Sequence, residues 1–201
     1  MERIGFLASH RGTNMQAVID ACQSGRLPAI PAVVISNNAN SGALTRAQAL
    51  GIPAYHLSAR GFADQYALDQ AMVKTLQRHL VDWVLTVGYM KKLGPALLNT
   101  YRNRIINIHP SLLPQYGGQG MYGKHVHEAV LAGGDTETGV TVHLVNEDYD
   151  QGPILAQARV PVMPGDDVES LAGRVLQTEH AFLVETLGRL LRGELQLPSV
   201  S

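Results

Sequence analysis

The chain has 201 residues, a formal net charge of −1, and hydrophobic and charged fractions of 45% and 16%. These values are typical of a globular enzyme, and the near-neutral charge gives no general attraction to nucleic acids or membranes. A single cysteine, Cys22, excludes an internal disulfide. No apolar run approaches transmembrane length, and the N-terminus is too short and too acidic for a signal peptide. We therefore expect a soluble cytoplasmic protein, monomeric or homodimeric, without nucleic-acid or membrane partners.

Strand and helix patterns alternate in the first half of the chain. Met15, Val18, Ile19 and Cys22 recur at helical spacing after a short apolar strand. The expected strands cover residues 3–9, 30–36, 53–57, 83–87 and 105–109, and the expected helices begin near residue 14 and cover 44–50, 64–79 and 95–101. Such alternation predicts a parallel sheet with crossover helices.

The second half has a different pattern. Its expected elements are a glycine-rich loop over 117–123, a helix over 124–131, and strands over 139–145 and 154–162 joined by an acidic turn. A closing helix begins near Asp166, with Glu169 as its capping partner. We expect one α/β domain over residues 1–201, with halves 1–109 and 110–201. Because of its glycines, the segment from Tyr116 to Lys124 is expected to be mobile and to close over a bound ligand. The alternative is a rigid turn that only connects strand to helix.

The most informative segment runs from Asn107 to Pro114, at the end of an apolar strand. Asn107 and His109 lie two residues apart, so on a strand they face the same side, and Pro110 then ends the regular structure. An amide and an imidazole at a strand end can stabilise a developing oxyanion, which indicates acyl-type transfer. The alternative interpretation is a capping asparagine beside a surface histidine.

The turn from Ser9 to Asn14 lies between the first strand and the first helix. Free backbone N–H groups at a helix N-terminus favour an anion such as a phosphate monoester, and Gly12 permits close approach. The turn has neither a dinucleotide-binding glycine pattern nor a Walker A lysine. The alternative is an ordinary turn in which Asn14 caps the helix.

The acidic turn from Asp148 to Pro153 is constrained by Gly152 and Pro153. If it folds over the strand end, Asp150 lies near His109 and raises the pKa of that imidazole, which would keep it charged. The alternative is a solvated acidic hairpin.

Two other polar clusters lie on predicted helices. His125 and His127 are two apart on a helix and therefore face different sides, so we expect surface histidines and no metal site. In the closing helix, Gln177 and Glu179 interrupt an apolar face. Glu179 either points inward to receive a ligand group or belongs to an exposed face.

Together, four of these segments resemble the phosphoribosylglycinamide formyltransferase family over nearly the whole chain. They cover residues 107–114, 149–153, 12–16 and 177–180. The first is shared across formyltetrahydrofolate-using enzymes, and the last two are the ones that resemble this family in particular. His10 departs from the family's usual glycine, and Gln65 stands where the family has an arginine.

The resemblance implies a Rossmann-like, mostly parallel sheet with flanking helices and an antiparallel C-terminal extension. The implied reaction transfers a formyl group from 10-formyltetrahydrofolate to the amine of glycinamide ribonucleotide, without a metal. Residues 1–109 would form the nucleotide-binding half, and residues 110–201 would supply folate-site loops and the last helix.

The resemblance also implies site residues. The catalytic residues are Asn107, His109 and Asp150. The ribonucleotide-binding residues are Gly12, Thr13, Asn14, Gln177 and Glu179. The folate-binding residues are Gln65, Met90, Lys91, Lys92, Leu93, Asn107, Asn146, Glu147, Asp148, Tyr149 and Asp150. Three alternatives stay open: a 10-formyltetrahydrofolate hydrolase, a formyltransferase with another amine acceptor, and a non-catalytic binding module.

Overall fold

Strands and helices alternate through the first of two units of the chain, Met1–Ile106, in a computed structural model. The strands are β1 (Glu2–Ala8), β2 (Ala29–Ser36), β3 (Ala54–His56) and β4 (Trp83–Thr86). The helices are α1 (Thr13–Gln23), α2 (Gly42–Ala49), a 3₁₀ helix (Ala59–Gly61), α3 (Gln65–Arg78) and α4 (Pro95–Thr100). Strand β1 pairs in parallel with β2 and β4, and β2 pairs in parallel with β3. Val33, Val34 and Ile35 of β2 are fully buried, as expected for a strand covered by helices on both faces.

The second unit, Asn107–Ser201, carries the remaining elements. Strand β5 (Ile105–His109) begins in the first unit and is followed by α5 (Lys124–Ala132), β6 (Glu137–Leu144), β7 (Ile154–Pro161) and α6 (Val168–Leu191). Strands β6 and β7 pair antiparallel. The structure describes residues 1–148 and 150–198, and within these ranges no helix is long and apolar enough to cross a membrane.

The strands follow the order β3-β2-β1-β4-β5-β6-β7 in a seven-stranded sheet. The sheet is mostly parallel with an antiparallel C-terminal pair, and helices flank it. The predicted fold class is therefore confirmed. Whether the chain acts as one domain divided at residue 109 stays a prediction.

The closing helix begins later than the sequence predicts. Asp167, not Asp166, is its N-cap, and its carboxylate accepts a hydrogen bond from the Ser170 N–H at 2.8 Å. The Ser170 hydroxyl accepts one in return from the Asp167 N–H at 3.0 Å, so Ser170 takes the place predicted for Glu169. Asp166 is not the cap because its carboxylate accepts hydrogen bonds from the Arg174 guanidinium at 2.7 and 2.9 Å.

Candidate active site

Strand β5 places an amide and an imidazole on one side of its end. Asn107 is half-buried and His109 is only 4% exposed, while the residue between them, Ile108, packs on the other side of the strand. His109 is the last residue of the strand, and Pro110 follows it. Asn107 and His109 therefore lie on the same side of β5, as the sequence predicts.

The imidazole of His109 lies between two oxygen acceptors. Its Nδ1 is 3.5 Å from Oδ1 of Asp150, and its Nε2 is 2.8 Å from the carbonyl oxygen of Tyr116. A carbonyl oxygen can only accept, so the Nε2–H donates to Tyr116. The acidic turn thus lies over the strand end, which rules out the interpretation of a solvated hairpin for Asp150.

Burial is the largest influence on His109, and it lowers the pKa of the imidazole below its ordinary value. The Asp150 carboxylate and the Tyr116 carbonyl both act to raise this pKa, but the net direction is downward. The expectation that Asp150 keeps His109 charged is therefore wrong for this structure. The physical reason is that desolvation of the buried ring outweighs one nearby carboxylate.

Asp150 is held by its backbone and by three polar neighbours. Its φ of 55° is in the left-handed region, and its Oδ2 accepts a hydrogen bond from the Gly118 N–H at 3.0 Å. Burial acts to raise the pKa of its carboxyl, but His143, His109 and the Gly118 N–H together lower it. Two residues on, a side chain at Gly152 would collide with the Leu144 carbonyl, so the turn requires glycine there.

His143 lies beside Asn107, His109 and Asp150, and it is not among the residues predicted from the sequence. It lies on β6, is 2% exposed, and its Nε2 is 3.1 Å from Nδ2 of Asn107 and 3.7 Å from Oδ1 of Asp150. Its Nδ1 is 2.9 Å from the Leu144 carbonyl oxygen. A signal was present, because His143 is the one titratable side chain in the otherwise uncharged stretch from Gly139 to Leu144.

The turn after β1 leads into the N-terminus of a helix, as the sequence predicts, but the capping residue differs. Helix α1 begins at Thr13, and Gly12 occupies the N-cap position with a φ of 73° and no side-chain cap. The alternative in which Asn14 caps the helix is therefore wrong, because Asn14 lies in the first turn of α1. A Cβ at Gly12 would lie 2.9 Å from Cα of Ala43, so only glycine fits.

Four of the folate-binding residues predicted in the first unit line one cavity of about 1710 Å³. They are Gln65, Lys91, Lys92 and Leu93. Met90 is not part of the lining, and its N–H donates to the Ser9 hydroxyl at 2.8 Å. The Ser9 hydroxyl in turn donates to Asn37 at 2.6 Å, which ties the ends of β1 and β2 to the segment after β4.

Apart from Asn107 on β5, the folate-binding residues predicted in the second unit belong to the segment between β6 and β7. Asn146, Glu147 and Asp148 are exposed, and the Asn146 side chain accepts a hydrogen bond from the Asp148 N–H at 3.0 Å. Tyr149 lies outside the described residues. Among residues 146–148 and 150 of this loop, Asp150 is the one whose side chain lies beside His109, at 3.5 Å.

Helix α6 separates the two ribonucleotide-binding residues predicted there. Glu179 is 8% exposed and points inward, whereas Gln177 is exposed. Residues two apart on a helix face different sides, so the structure does not bring them together. Glu179 therefore does not belong to an exposed face, and its role in binding a ligand stays a prediction.

Known proteins resemble the chain over nearly its whole length. The family model for formyl transferases matches residues 2–187. The phosphoribosylglycinamide formyltransferase of Haemophilus influenzae is 39% identical over 98% of this chain and 91% of its own length. The glycinamide ribonucleotide transformylase 1 of Symbiobacterium toebii has a TM-score of 0.92 and 40% identity over 99% of this chain and 92% of its own. The chain belongs to the phosphoribosylglycinamide formyltransferases, a family of formyl transferases.

A formyltetrahydrofolate deformylase resembles the chain less closely than these two proteins do. The deformylase of Pseudomonas syringae has a TM-score of 0.84 and 29% identity, over 96% of this chain but only 62% of its own length. The sheet and helices are thus common to transferase and deformylase, and the higher identities are to phosphoribosylglycinamide formyltransferases.

Of the two histidines predicted on the surface of helix α5, one is exposed in this formyltransferase and the other is buried. His125 is exposed and lies 3.4 Å from Glu128, as a surface histidine should. His127 is only 5% exposed, so the expectation of a surface residue is wrong, because helix α5 packs this side inward. Burial lowers the pKa of the His127 imidazole, and charge on His109 lowers it further. In residues 1–148 and 150–198, no three His, Cys, Asp or Glu side chains are grouped to hold a metal ion.

Proposed function

We propose that the chain transfers the formyl group of 10-formyltetrahydrofolate to the amine of glycinamide ribonucleotide, N1-(5-phospho-β-D-ribosyl)glycinamide, in de novo purine biosynthesis. The observation that carries this proposal is the pair of His109 and Asp150, 3.5 Å apart at the end of the strand that bears Asn107. This pair lies in a chain that is 39% identical to a named phosphoribosylglycinamide formyltransferase over 98% of its length.

The proposed chemistry is direct transfer. The amine nitrogen attacks the formyl carbon, and the carbonyl electrons move onto oxygen to give a tetrahedral oxyanion. Collapse of this intermediate breaks the bond from carbon to N10 of the folate. One proton leaves the attacking nitrogen and one reaches N10, with Asp150 assisting this transfer directly or through water.

Asn107 and His109 supply hydrogen-bond donors to the oxyanion in this proposal. The Nε2–H of His109 donates to the Tyr116 carbonyl in the structure, so the oxyanion must replace that carbonyl as its acceptor. Negative charge that develops beside the ring raises the pKa of His109 again. The low dielectric of the buried site strengthens this contact where water would weaken it.

The remaining site residues are proposed binding groups. Gly12, Thr13 and Asn14 would bind the phosphate through the N-terminus of α1, with Glu179 and Gln177 toward the rest of the ribonucleotide. Gln65 and the segment Met90–Leu93 would bind folate, together with Asn107 and residues 146–150. The oligomeric state and the cytoplasmic location stay predictions.

The test is folate turnover with and without glycinamide ribonucleotide, followed by the absorbance change on loss of the formyl group. We expect turnover that requires the ribonucleotide. Turnover at an equal rate without any amine would instead show a hydrolase. Turnover only with a different amine would show another acceptor, and binding of both compounds without turnover would show a non-catalytic module.

A further inference from the structure

The contacts of His143 define which of its ring nitrogens carries a proton. Nδ1 is 2.9 Å from the carbonyl oxygen of Leu144, and a carbonyl oxygen can only accept a hydrogen bond. Nδ1 therefore bears the hydrogen. In a neutral imidazole with a protonated Nδ1, Nε2 has a lone pair and acts as an acceptor.

The acceptor Nε2 faces the side chain of Asn107. The two nitrogens, Nε2 of His143 and Nδ2 of Asn107, are 3.1 Å apart, so the amide donates and the ring accepts. Rotating the amide by half a turn would put its oxygen against the lone pair of Nε2, and two acceptors repel. With the neutral ring, only one orientation of the Asn107 amide is therefore stable.

This orientation matters for the proposed oxyanion. One hydrogen of Nδ2 donates to His143, and the second hydrogen of the same nitrogen then has a fixed direction in the amide plane. An amide turned the other way would present its oxygen to a developing negative charge. We propose that His143 is a positioning residue that selects the donor orientation of Asn107 for oxyanion stabilisation. This inference rests on the proposed function.

A doubly protonated His143 ring would have a different hydrogen-bond partner. Oδ1 of Asp150 is 3.7 Å from Nε2, and His109 is held against the same carboxylate oxygen at 3.5 Å. A doubly protonated His143 would donate from Nε2 to Asp150 and would require the Asn107 amide to turn. The two forms of the ring thus specify opposite orientations of the amide. The hydrogen bond from Asn107 corresponds to the neutral form.

The ring form is tested directly by ¹⁵N NMR on protein labelled at histidine, because protonated and unprotonated ring nitrogens have well-separated shifts. We expect a protonated Nδ1 and an unprotonated Nε2 at His143 at neutral pH. A protonated Nε2 would overturn the inference, whatever the activity of the enzyme. This measurement needs no substrate, so its result is independent of the proposed function.

The kinetic test compares His143→Leu with His143→Gln, which keeps an acceptor oxygen. Loss of one oxyanion donor reduces turnover by roughly 10² to 10³, so a misdirected donor should reduce kcat by about tenfold or more. We expect this loss in His143→Leu with little change in either KM, and partial recovery in His143→Gln. Thr138→Val, which removes a buried hydroxyl from the same strand, is the control and should keep normal kcat.

Two kinetic outcomes contradict the inference. Normal kcat in folded His143→Leu would show that the amide needs no partner. A kcat in His143→Gln no higher than in His143→Leu would show that an acceptor at this position does not orient the Asn107 amide. If wild-type protein shows no transfer at all, the proposed function fails, and the NMR result still stands.

Discussion

At the scale of single residues, opposing influences act on the pKa of His109, and burial is the largest of them. Burial favours the neutral ring, whereas Asp150 and the Tyr116 carbonyl favour the charged one. Both ring nitrogens already face oxygen atoms, Nδ1 the Asp150 carboxylate at 3.5 Å and Nε2 the Tyr116 carbonyl at 2.8 Å. Such a ring is oriented before substrate arrives, and it gains most when negative charge develops beside it.

Replacing His109 tests this assignment. His109→Ala should reduce kcat by roughly 10² to 10³, the cost of losing one oxyanion donor, while both substrates still bind. Steady-state kinetics and calorimetry on the same preparation give the two quantities. A folded variant with near-normal kcat would remove His109 from the mechanism.

The carboxylate of Asp150 is tested through its effect on the same ring. Asp150→Asn removes the negative charge that raises the pKa of His109, so the pKa should fall further below its ordinary value. An NMR titration of the His109 ring in both proteins measures the change. Asp148→Asn, on the exposed part of the same loop, is the control and should leave that pKa unchanged. A pKa in Asp150→Asn equal to or above that of wild type would contradict the assignment.

At the scale of secondary-structure elements, the sequence predicts well where periodicity is strong. Strand β5 covers Ile105–His109 in prediction and structure alike, because an apolar run ends there at a proline. The start of α6 differs from the prediction, because Asp166 and Asp167 stand side by side and only the contacts in the folded chain select one as the cap. The Arg174 guanidinium donates a hydrogen bond to the Asp166 carboxylate, and Asp167 is the N-cap.

In the site, too, the residues that local sequence patterns indicate were predicted, and those that depend on tertiary contacts were not. Asn107, His109 and Asp150 were found from residue type and turn chemistry. His143 was not, because its role depends on strand β6 lying beside those residues, which no local pattern encodes. The burial of His127 and the lowered pKa of His109 likewise depend on packing from distant parts of the chain.

The N-terminus of α1 depends on a glycine. Gly12→Ala should lower the free energy of unfolding by about 1–2 kcal/mol for the left-handed backbone, with a further cost from crowding against Ala43. Gly25→Ala is the matched control, because its φ of 78° is similar and nothing lies within 4 Å of a Cβ there. Denaturant unfolding of both variants separates the two costs. Equal losses would show that crowding at Gly12 is unimportant.

Hydrogen bonds hold the first residues of the loop before α5, Tyr116 and Gly118. The Tyr116 hydroxyl donates to Asp135 at 2.6 Å, and the Gly118 N–H donates to Asp150 at 3.0 Å. Amide exchange should therefore be slow at Gly118 and fast over residues 119–124 without substrates. If the loop closes over the site, both substrates together should slow exchange over 119–124. Strong protection of 119–124 without substrates, unchanged by their addition, would rule out closure.

At the scale of the whole molecule, buried histidines make stability depend on pH. The pKa values of His109 and His127 are lowered, chiefly by burial. As the pH falls below about 6.5, the unfolded chain takes up protons that the folded chain does not. Above that pH, His109 and His127 do not lower the free energy of unfolding. As the pH falls from about 6.5 toward their folded-state pKa values, the free energy of unfolding decreases.

His127 offers a way to isolate one part of this dependence. His127→Leu should make the fall in unfolding free energy between about pH 7 and pH 5 shallower, because one titrating buried ring is gone. His125→Leu, at an exposed position on the same helix, is the control and should keep the wild-type slope. Urea unfolding at a series of pH values gives both slopes. An unchanged slope in His127→Leu would contradict the burial of its neutral ring.

The central claim is that one formyl carbon passes from folate to glycinamide ribonucleotide at the site of Asn107, His109 and Asp150. The most direct test supplies 10-formyltetrahydrofolate labelled with ¹³C in the formyl group and follows the label by ¹³C NMR. We expect the label to enter the formyl amide of the ribonucleotide product, and to do so far more slowly in His109→Ala. Label that accumulates as formate, or transfer that is unchanged in His109→Ala, would contradict the account.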